Sequence, residues 1–443
     1  MSFTRARQAL LAPLALLLAL PQPAAATATA MAPALQAQLV AKTSGQVASF
    51  YAHGPGTLWI HDGALDPAAS EFVRLIETAD DDGLSPAALH AAELAQAVTL
   101  AQSSPTPENL AAAEALLSRT FAAYVAALSQ DSGSAMEYEA PQLRPHDIGD
   151  YQTLDRAAKA PSLAEYIHDM RWMHPLYAPL RRALMDEPAI SASDHQLAVQ
   201  NLRRIRAIPD LPNGRHIVID AASATLWMYE GDTVVDSMRV IVGKPDKQTP
   251  AYAGYIRYAV LNPYWNVPDD LVRSLISRNV LSQGMGYLKR QGYEVVSAWS
   301  DDAEVIDPHK VDWAAVRNGE KTIFVRQLPS SKNSMGKVKY EFPNVYGIYL
   351  HDTPERELLK KDARQLSSGC IRLEGAQRLG QWLMEGEMQS QSDAPEQKVD
   401  LPRPVPLYVT YLTAHAQDGR VAVSADPYAR DGMALATVAL KSE

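Results

Sequence analysis

The only cysteine of the 443-residue chain, Cys370, lies within the short motif SSGCIR at positions 367–372. Thirteen residues, 354–366, separate this motif from the triplet HDT at 351–353. A thiol becomes a strong nucleophile only as a thiolate, and an adjacent imidazole can take its proton. We therefore predict that Cys370 is a catalytic nucleophile and that His351 is its general base.

The flanking sequence indicates how these two residues are positioned. In YGIYLH (346–351), apolar positions alternate with aromatic and polar ones, which predicts a strand that ends at His351. Cys370 precedes the helix-like stretch LEGAQRLGQWLM (373–384). We therefore expect Cys370 at a helix N-terminus, where free N–H groups and the helix dipole favour a thiolate.

Several neighbouring groups could serve acyl transfer. The backbone N–H groups of Gly369 and Cys370 are candidates for an oxyanion hole. Arg372 carries a fixed positive charge that either holds a substrate carboxylate or supports the structure beneath the site. We expect a backbone carbonyl to orient His351, because the side chain of Asp352 should point away on a strand. Weaker candidates for substrate contact are Ser368, Tyr349 and Trp265.

Some of these residue types have other interpretations. A lone cysteine is more often a small buried hydrophobic residue than a nucleophile, so the prediction rests on the combination of cysteine, histidine, glycine and arginine. For metals, His53 and His61 stand apart from any acidic or histidine cluster, and DDDG (80–83) lacks the spaced ligands of a calcium loop. HExxH and cysteine-rich spacings do not occur. We predict neither a metal nor a cofactor.

HDT followed by SSGCIR resembles the signature of the L,D-transpeptidases with a YkuD-type catalytic domain, which remodel bacterial peptidoglycan. The sequence is most similar to the large Gram-negative branch, in which HDTP, NPYWNVP and FPN segments recur. Here these segments are residues 351–354, 262–268 and 342–344. The catalytic resemblance covers roughly residues 213–415, and a weaker resemblance to the helical scaffold of that branch covers roughly 45–210.

One position departs from the pattern of the family. Many members have a histidine directly before the Gly-Cys pair, where this chain has Ser368. Other members of the large branch resemble this chain at that position, so the difference does not predict a loss of activity. His351 remains as the only histidine of the motif.

Composition and the N-terminus suggest an exported protein. The net charge of −10 argues against a nucleic-acid partner. Arg5, Arg7, an apolar run at 10–20 and the small residues AAATATA (24–30) predict a signal peptide over residues 1–30. The apolar run is too short to span a bilayer, although an uncleaved anchor is the alternative. We expect a periplasmic protein with no stable membrane span after cleavage.

The hydrophobic pattern divides the mature chain into two domains. Residues 31–210 have helical periodicity and predict a helical scaffold domain. The segment PDLPNG (209–214) marks a boundary, after which period-two alternation predicts a catalytic domain at 211–416. We predict an α+β protein in which this second domain is a mainly antiparallel β-sandwich.

Three further segments can be assigned along the chain. Residues 269–320 interrupt the strand pattern with helical pieces, and we interpret them as a lid insertion over Cys370. TIFVRQ (322–327) is predicted to resume the strands of the catalytic domain. The tail, 417–443, is predicted to pack back on the scaffold or the catalytic domain with a short strand at RVAVSA (420–425).

The resemblance implies a peptidoglycan L,D-transpeptidase that joins two stem peptides through a thioester on the cysteine. Peptidoglycan stem peptides would be both donor and acceptor, and the sequence leaves the oligomeric state open. Resolution of the same thioester by water, which gives an L,D-carboxypeptidase, is one alternative. Others are a noncatalytic peptidoglycan-binding protein with a decayed site and an unrelated cysteine protease or redox thiol.

Overall fold

The structure is a computed structural model that describes residues 33–54, 56–187, 189–300, 302–388 and 392–432. The predicted signal peptide at 1–30 lies outside the described residues. The chain begins with a helical region and continues into a strand-rich region, as the sequence predicted.

The first region is the predicted scaffold. Its helices pack around a large apolar core, with a smaller apolar cluster beside it. They are α1 (Pro33–Lys42), α2 (Gly45–His53), α3 (Ala68–Glu77), α4 (Ala91–Ser103), α5 (Pro107–Leu128), α6 (Asp150–Ala158), α7 (Leu163–His168), α8 (Tyr177–Asp186) and α9 (Ala192–Ile205). Three short strands accompany them, β1 (Ile60–His61), β2 (Ala64–Leu65) and β3 (Glu137–Tyr138).

Helix α5 is the centre of this core. It begins where the Thr106 side chain accepts a hydrogen bond from the Asn109 N–H, and Pro107 occupies its first turn, where no N–H donor is needed. Within the described part of the chain, it is the one helix long and apolar enough to cross a membrane. Of that apolar stretch 67% is buried inside the protein, as expected for a core helix.

The second region contains the remaining strands and five helices. The strands are β4 (Arg215–Asp220), β5 (Thr225–Glu230), β6 (Thr233–Gly243), β7 (Tyr252–Leu261), β8 (Trp265–Asn266), β9 (Tyr293–Val296), β10 (Val305–Ile306), β11 (Phe324–Gln327), β12 (Val338–Glu341), β13 (Leu350–His351), β14 (Gln365–Ser367), β15 (Ile371–Leu373), β16 (Gln397–Thr410), β17 (Ala414–Gln417) and β18 (Arg420–Val423). The helices are α10 (Asp269–Leu271), α11 (Arg278–Gln283), α12 (Gly286–Gln291), α13 (Trp313–Asn318) and α14 (Ala376–Met384), with a π-helical turn at Val272–Ser277 between α10 and α11.

The main sheet closes on itself. Its strand order is β12-β13-β15-β6-β5-β4-β16-β7-β3, with β14 paired to β6, and β7 pairs again with β12. Most neighbours are antiparallel, as predicted, but four pairs are parallel, β13 with β15, β16 with β4, β14 with β6 and β3 with β7. The result is a closed barrel around its own apolar core, where the sequence predicted a two-layer sandwich. Alternation within strands predicts which side chains face inward, whereas closure depends on the pairing of strands far apart in sequence.

The insertion between β7 and β12 folds around a separate core. Strands β10, β9, β11 and β8 form a second sheet, and α10 to α13 cover its apolar residues. The strand predicted at TIFVRQ (322–327) forms as β11, but it pairs with β9 and β8 of this second sheet and not with the main sheet. The independent unit is also longer than the predicted 269–320, since it includes β8 and β11.

The ends of this insertion are held together by one buried side chain. The Asn333 amide donates hydrogen bonds to the carbonyls of Pro263, Gln327 and Leu328, over distances of 3.0–3.1 Å. Its Oδ1 accepts from the Met335 N–H at 2.7 Å. Asn333 thereby closes the base of the insertion and fixes the loop that leads into β12.

The scaffold and the barrel meet at a buried pair of histidines. His174, just before α8, and His216, on β4, place their Nε2 atoms 3.1 Å apart. His216 also stacks on Tyr229 at 4.7 Å between ring centroids. Burial lowers the pKa of both imidazoles, that of His216 to about 4, so the pair is neutral at physiological pH. This contact helps to fix how the barrel sits on the scaffold.

The tail returns to both domains as far as the structure describes it. Strands β17 and β18 pair with each other and pack against α8 and α9 of the scaffold. The next residues pack on the barrel, where Tyr428 stacks on Tyr411. Residues 433–443 lie outside the described residues.

Candidate active site

Two short parallel strands bring the motif residues together. Strand β13 pairs with β15 so that Leu350 lies opposite Ile371 and His351 lies opposite Arg372. Leu350 and Ile371 are fully buried in the barrel core. Because side chains alternate along a strand, His351 and Arg372 project from the other face.

Cys370 and Tyr349 directly precede the paired residues of the two strands. The Ile371 N–H donates to the Tyr349 carbonyl at 3.0 Å, as the Leu350–Ile371 pair requires, and the Tyr349 backbone bonds to the Cys370 sulfur. Cys370 therefore shares a face with Arg372, two residues along, and lies diagonally across from His351. The structure thus brings together four residues that the sequence singled out.

Only the last two residues of the predicted strand at 346–351 form a strand. Asn344 holds the preceding segment in a turn: its amide donates to the carbonyls of Phe342 and Ile348, and its Oδ1 accepts from the N–H groups of Tyr346 and Ile348. Alternation alone could not predict this turn, because the hydrogen bonds come from a side chain outside the alternating stretch.

The expectation that Cys370 lies at a helix N-terminus was wrong. Strand β15 follows the cysteine, and α14 begins only at Ala376. The Cys370 side chain is partly exposed, and its Sγ lies 3.9 Å from the Gly347 carbonyl oxygen. Burial raises the pKa of the thiol, while a hydrogen bond from the Tyr349 backbone and the charge of Arg372 act in the opposite direction. Cys370 is therefore a neutral thiol at rest and needs a base.

His351 is in the correct form to act as that base. It is 4% exposed, and its Nδ1 lies 2.6 Å from the Asp352 backbone carbonyl. Because a carbonyl only accepts, Nδ1 carries the proton, and Nε2 is left without one in the neutral ring. Burial, followed by the nearby charge of Arg372, lowers the pKa of His351 to about 3. The predicted orientation of His351 by a backbone carbonyl is confirmed.

The Asp352 side chain points away from the imidazole, as predicted. Its Oδ2 accepts a hydrogen bond from the Lys337 N–H at 2.9 Å, and its Oδ1 forms an ion pair with Arg356. Arg356 also donates to the Glu374 carbonyl at 2.6 Å. Asp352 therefore ties β12 and the segment after β15 to the strand that carries His351, and it has a structural role.

Arg372 forms an ion pair with Glu355, whose side chain is 56% exposed. It lies beside His351 in the parallel register and contributes the positive charge that lowers the pKa of both His351 and Cys370. A guanidinium at this place suits a carboxylate, and in the structure that carboxylate is a protein side chain. Both predicted roles of Arg372 stay open.

The peptide between Gly369 and Cys370 has an unusual backbone conformation. Gly369 has a φ of +118°, a value that favours glycine. Its N–H donates to Ser367 Oγ at 3.1 Å, and Ser367 Oγ donates to the Cys370 carbonyl at 2.6 Å. The Gly369 N–H is therefore already used, against its predicted role as an oxyanion donor. The Cys370 N–H has no hydrogen-bond partner among the residues that the structure describes.

Ser367 was not predicted from the sequence to take part in the site. Its position two residues before Gly369 could have indicated this, because short hydroxyl side chains commonly bond to the local backbone. Its neighbour Ser368, which was predicted to contact substrate, is exposed.

The remaining predicted residues differ in their surroundings. Tyr349 is half-buried beside Cys370, with Lys339 Nζ 5.9 Å from its ring centroid. Trp265 packs on Tyr293 at 6.3 Å, within the core of the insertion. Tyr349 is therefore placed with the motif residues, whereas Trp265 belongs to the insertion. For metals, the described residues contain no group of three or more His, Cys, Asp or Glu side chains that could hold an ion.

Two family models match the chain. Residues 45–184 match the family described as Scaffold domain, and residues 214–400 match the L,D-transpeptidase catalytic domain. A Haemophilus influenzae protein named "Putative L,D-transpeptidase" is 29% identical over 308 residues, which are 67% of this chain and 60% of that protein. The chain therefore spans about 60% of the length of this curated relative.

Solved structures of L,D-transpeptidases match more weakly. An L,D-transpeptidase from Mycobacterium smegmatis is 13% identical, covering 44% of this chain and 58% of that one, with a TM-score of 0.23. An Enterococcus faecium L,D-transpeptidase mutant is 12% identical, covering 46% and 52%, also with a TM-score of 0.23. These similarities are weak, so the family assignment is based on the sequence matches. The chain therefore contains a YkuD-type L,D-transpeptidase catalytic domain over residues 214–400, preceded by a Scaffold domain over residues 45–184.

Proposed function

We propose that this protein is a periplasmic L,D-transpeptidase that cross-links peptidoglycan stem peptides through a thioester on Cys370. The observation that carries the proposal is the parallel pairing of β13 with β15, which sets His351 and Arg372 side by side next to Cys370. A neutral imidazole, a thiol and a fixed cation on one face are the groups that cysteine acyl transfer requires.

The first half-reaction forms the thioester. His351 Nε2 takes the thiol proton, and Cys370 Sγ attacks the carbonyl between an L centre and the following D residue of the donor stem. The Cys370 N–H supports the negative oxygen of the tetrahedral intermediate. The carbon–nitrogen bond then breaks, and the D-amino acid leaves with the proton from His351.

The second half-reaction uses the same groups in reverse order. An amine of a second stem attacks the thioester carbonyl while His351 accepts its proton, and the Cys370 thiolate leaves and is reprotonated. Arg372, once its ion pair with Glu355 opens, offers its guanidinium to a stem carboxylate. If water replaces the amine, the product is a shortened stem, which is the carboxypeptidase alternative.

Mass spectrometry of the products tests this proposal. Purified disaccharide-tetrapeptide is incubated with mature wild-type protein and with Cys370→Ala. We expect a cross-linked dimer from the wild type alone. A tripeptide monomer alone would identify a carboxypeptidase, and dimer formation by Cys370→Ala would contradict the role of the cysteine.

The insertion between β7 and β12 is proposed to cover bound substrate. It has its own core, and Asn333 brings its two ends together, so a short Gly-Ser linker can replace residues 265–327 while the barrel is kept. We expect this variant to lose at least about tenfold in dimer formation. Alkylation of Cys370 by iodoacetamide should persist. Unchanged dimer formation by a folded variant would contradict the lid interpretation.

A further inference from the structure

Beneath the nucleophile lies a buried threonine that the reaction scheme above does not use. Thr249 follows the loop after β6 and is 0% exposed. Its Oγ1 accepts a hydrogen bond from the Gly243 N–H at 2.9 Å and donates one to the Gly369 carbonyl at 2.8 Å. A single hydroxyl therefore links the end of β6 to the peptide that precedes Cys370.

The hydrogen bond from Thr249 to the Gly369 carbonyl also fixes the direction of the Cys370 N–H. In a planar trans peptide, the carbonyl of one residue and the N–H of the next point in opposite directions. Since Thr249 holds the Gly369 oxygen on the buried side, the Cys370 N–H is aimed away from the core. This is the N–H without a partner among the described residues, and the other predicted donor, on Gly369, is bound to Ser367.

The part of the tail after β18 holds this threonine in place. We define the C-terminal strap as residues 426–431. Tyr428 Oη donates to the Gly243 carbonyl at 2.5 Å and accepts from the Thr249 N–H at 3.4 Å. Arg430 donates to the Thr249 carbonyl at 3.0 Å and to the Gln248 side chain at 2.9 Å.

The strap is in turn attached to the scaffold. Asp431 forms an ion pair with Arg204 of α9 at 2.8 Å, and both side chains are mostly buried. The guanidinium of Arg204 also lies 5.3 Å from the ring centroid of Tyr411, which stacks on Tyr428. A continuous series of contacts therefore runs from the scaffold through the strap and Thr249 to the Gly369–Cys370 peptide.

We propose that Thr249 is a positioning residue that aims the Cys370 N–H as the oxyanion donor, and that the C-terminal strap keeps Thr249 in this position. The inference rests on the proposed acyl-transfer function of Cys370. The tail would then hold Thr249 in position, and a series of contacts would connect the scaffold to Cys370. The motif around Cys370 does not by itself predict either role.

The test compares two reactions of Cys370 that differ in their need for an oxyanion donor. Acylation by p-nitrophenyl acetate passes through a tetrahedral oxyanion, whereas alkylation by iodoacetamide is a displacement at carbon without one. Both are followed by intact mass and need no peptidoglycan, so they remain informative if the physiological substrate is different. The full mature chain is used throughout.

For Thr249→Val, we expect acylation to fall by about 10- to 100-fold while alkylation stays within about twofold of wild type. Thr249→Ser keeps the hydroxyl and should restore acylation to within about threefold. The matched control is Thr153→Val, a buried threonine of α6 in the scaffold, which should change neither rate. Acylation of Thr249→Val at the wild-type rate would overturn the inference, as would equal losses in both reactions.

A second variant keeps the test valid if Thr249→Val does not fold. Tyr428→Phe removes the hydroxyl that bonds to Gly243 and Thr249 but keeps the stacked ring. We expect a smaller loss of acylation, about three- to tenfold, with alkylation unchanged. Wild-type acylation by this variant would contradict the role of the strap. Failure of the cross-linking function appears separately, as a wild type that reacts with p-nitrophenyl acetate but not with disaccharide-tetrapeptide.

Discussion

The scaffold and the barrel both bury polar side chains, but they use them differently. In the scaffold, Asp82 accepts hydrogen bonds from the Tyr124 and Tyr177 hydroxyls at 2.7 and 2.5 Å, and it forms an ion pair with Arg181 at 2.9 Å. All four side chains are buried. The carboxylate faces only donors from the protein itself, so no position is left for a ligand.

In the barrel, the polar groups around Cys370 are not fully paired. His351 uses Nδ1 for a backbone carbonyl and keeps Nε2 unprotonated, while the Cys370 N–H has no partner within the described part of the chain. The side chains of Ser367 and Thr249 bond to the backbone around the cysteine, and Thr249 also accepts from the Gly243 N–H. Polar groups that pair with each other therefore stabilise this protein. Chemistry is expected where one donor, the Cys370 N–H, and one acceptor, His351 Nε2, remain available.

Cys370→Ala should have the largest effect on activity and only a small effect on stability. We expect acylation and dimer formation to fall by more than about 10⁴-fold, because the variant lacks the sulfur that carries the acyl group. The free energy of unfolding should change by less than about 1 kcal/mol, since the side chain is small and partly exposed. Turnover assays and urea denaturation measure the two effects. A large loss of stability would mean that Cys370 has a structural role.

The next largest effect concerns His351 and pH. The pKa of His351 is lowered to about 3 and that of Cys370 is raised, so neither group titrates near pH 6.5. The iodoacetamide reaction should therefore accelerate steadily from pH 6 to 9 as the thiolate forms. His351→Gln should reduce acylation by about 10²- to 10⁴-fold at pH 7. A plateau in alkylation that begins near pH 6.5 would instead indicate a resting thiolate–imidazolium pair.

Breaking the Asp82 network of the scaffold should lower stability and leave the reactivity of Cys370 unchanged. Asp82→Asn removes the nearer of the two carboxylates that pair with the buried Arg181, the other being Asp81, and we expect a loss of about 3–5 kcal/mol in the free energy of unfolding. Alkylation of Cys370 in the folded fraction should not change. The control is Asp186→Asn, whose exposed pair with Arg74 should contribute less than about 1 kcal/mol. Equal effects of the two variants would contradict the special role of the buried network.

The smallest effect tests the second buried carboxyl of the scaffold. Glu114 accepts from the N–H groups of Leu58 and Trp59 at 2.6 and 2.9 Å, and burial raises its pKa to about 7. Because the folded protein binds this proton more tightly than the unfolded chain, the stabilisation is complete below about pH 4.5 and is lost as pH rises to about 7.

Comparison with Glu114→Gln isolates this contribution. The stability of the wild type minus that of the variant should fall by about 1–3 kcal/mol between pH 4.5 and 7. The difference is needed because His174 and His216, whose pKa values are lowered, favour the folded state more as pH rises. Urea denaturation at several pH values measures it, and a pH-independent difference would show that Glu114 stays ionised.

The sequence predicted those features that depend on local order. The spacing of HDT and SSGCIR singled out His351 and Cys370 as candidates, and alternation predicted that Tyr349 shares a face with His351. Helical periodicity identified the helical region at 31–210, and the proline-rich boundary at 209–214 separated it from the strand-rich region. Each of these signals lies within a short stretch of chain, where side-chain direction follows directly from the backbone period.

Tertiary structure decided what depends on distant partners. The closure of β12 on β7, the pairing of β11 within the insertion and the position of β15 between Cys370 and α14 all depend on which strands meet. The partners of the Gly369–Cys370 peptide are also nonlocal, since Thr249 lies 120 residues from Gly369 in sequence. The sequence alone determined which residues could react. The tertiary structure determined which of their hydrogen-bonding groups remain free, because buried donors and acceptors pair with whatever the fold brings near them.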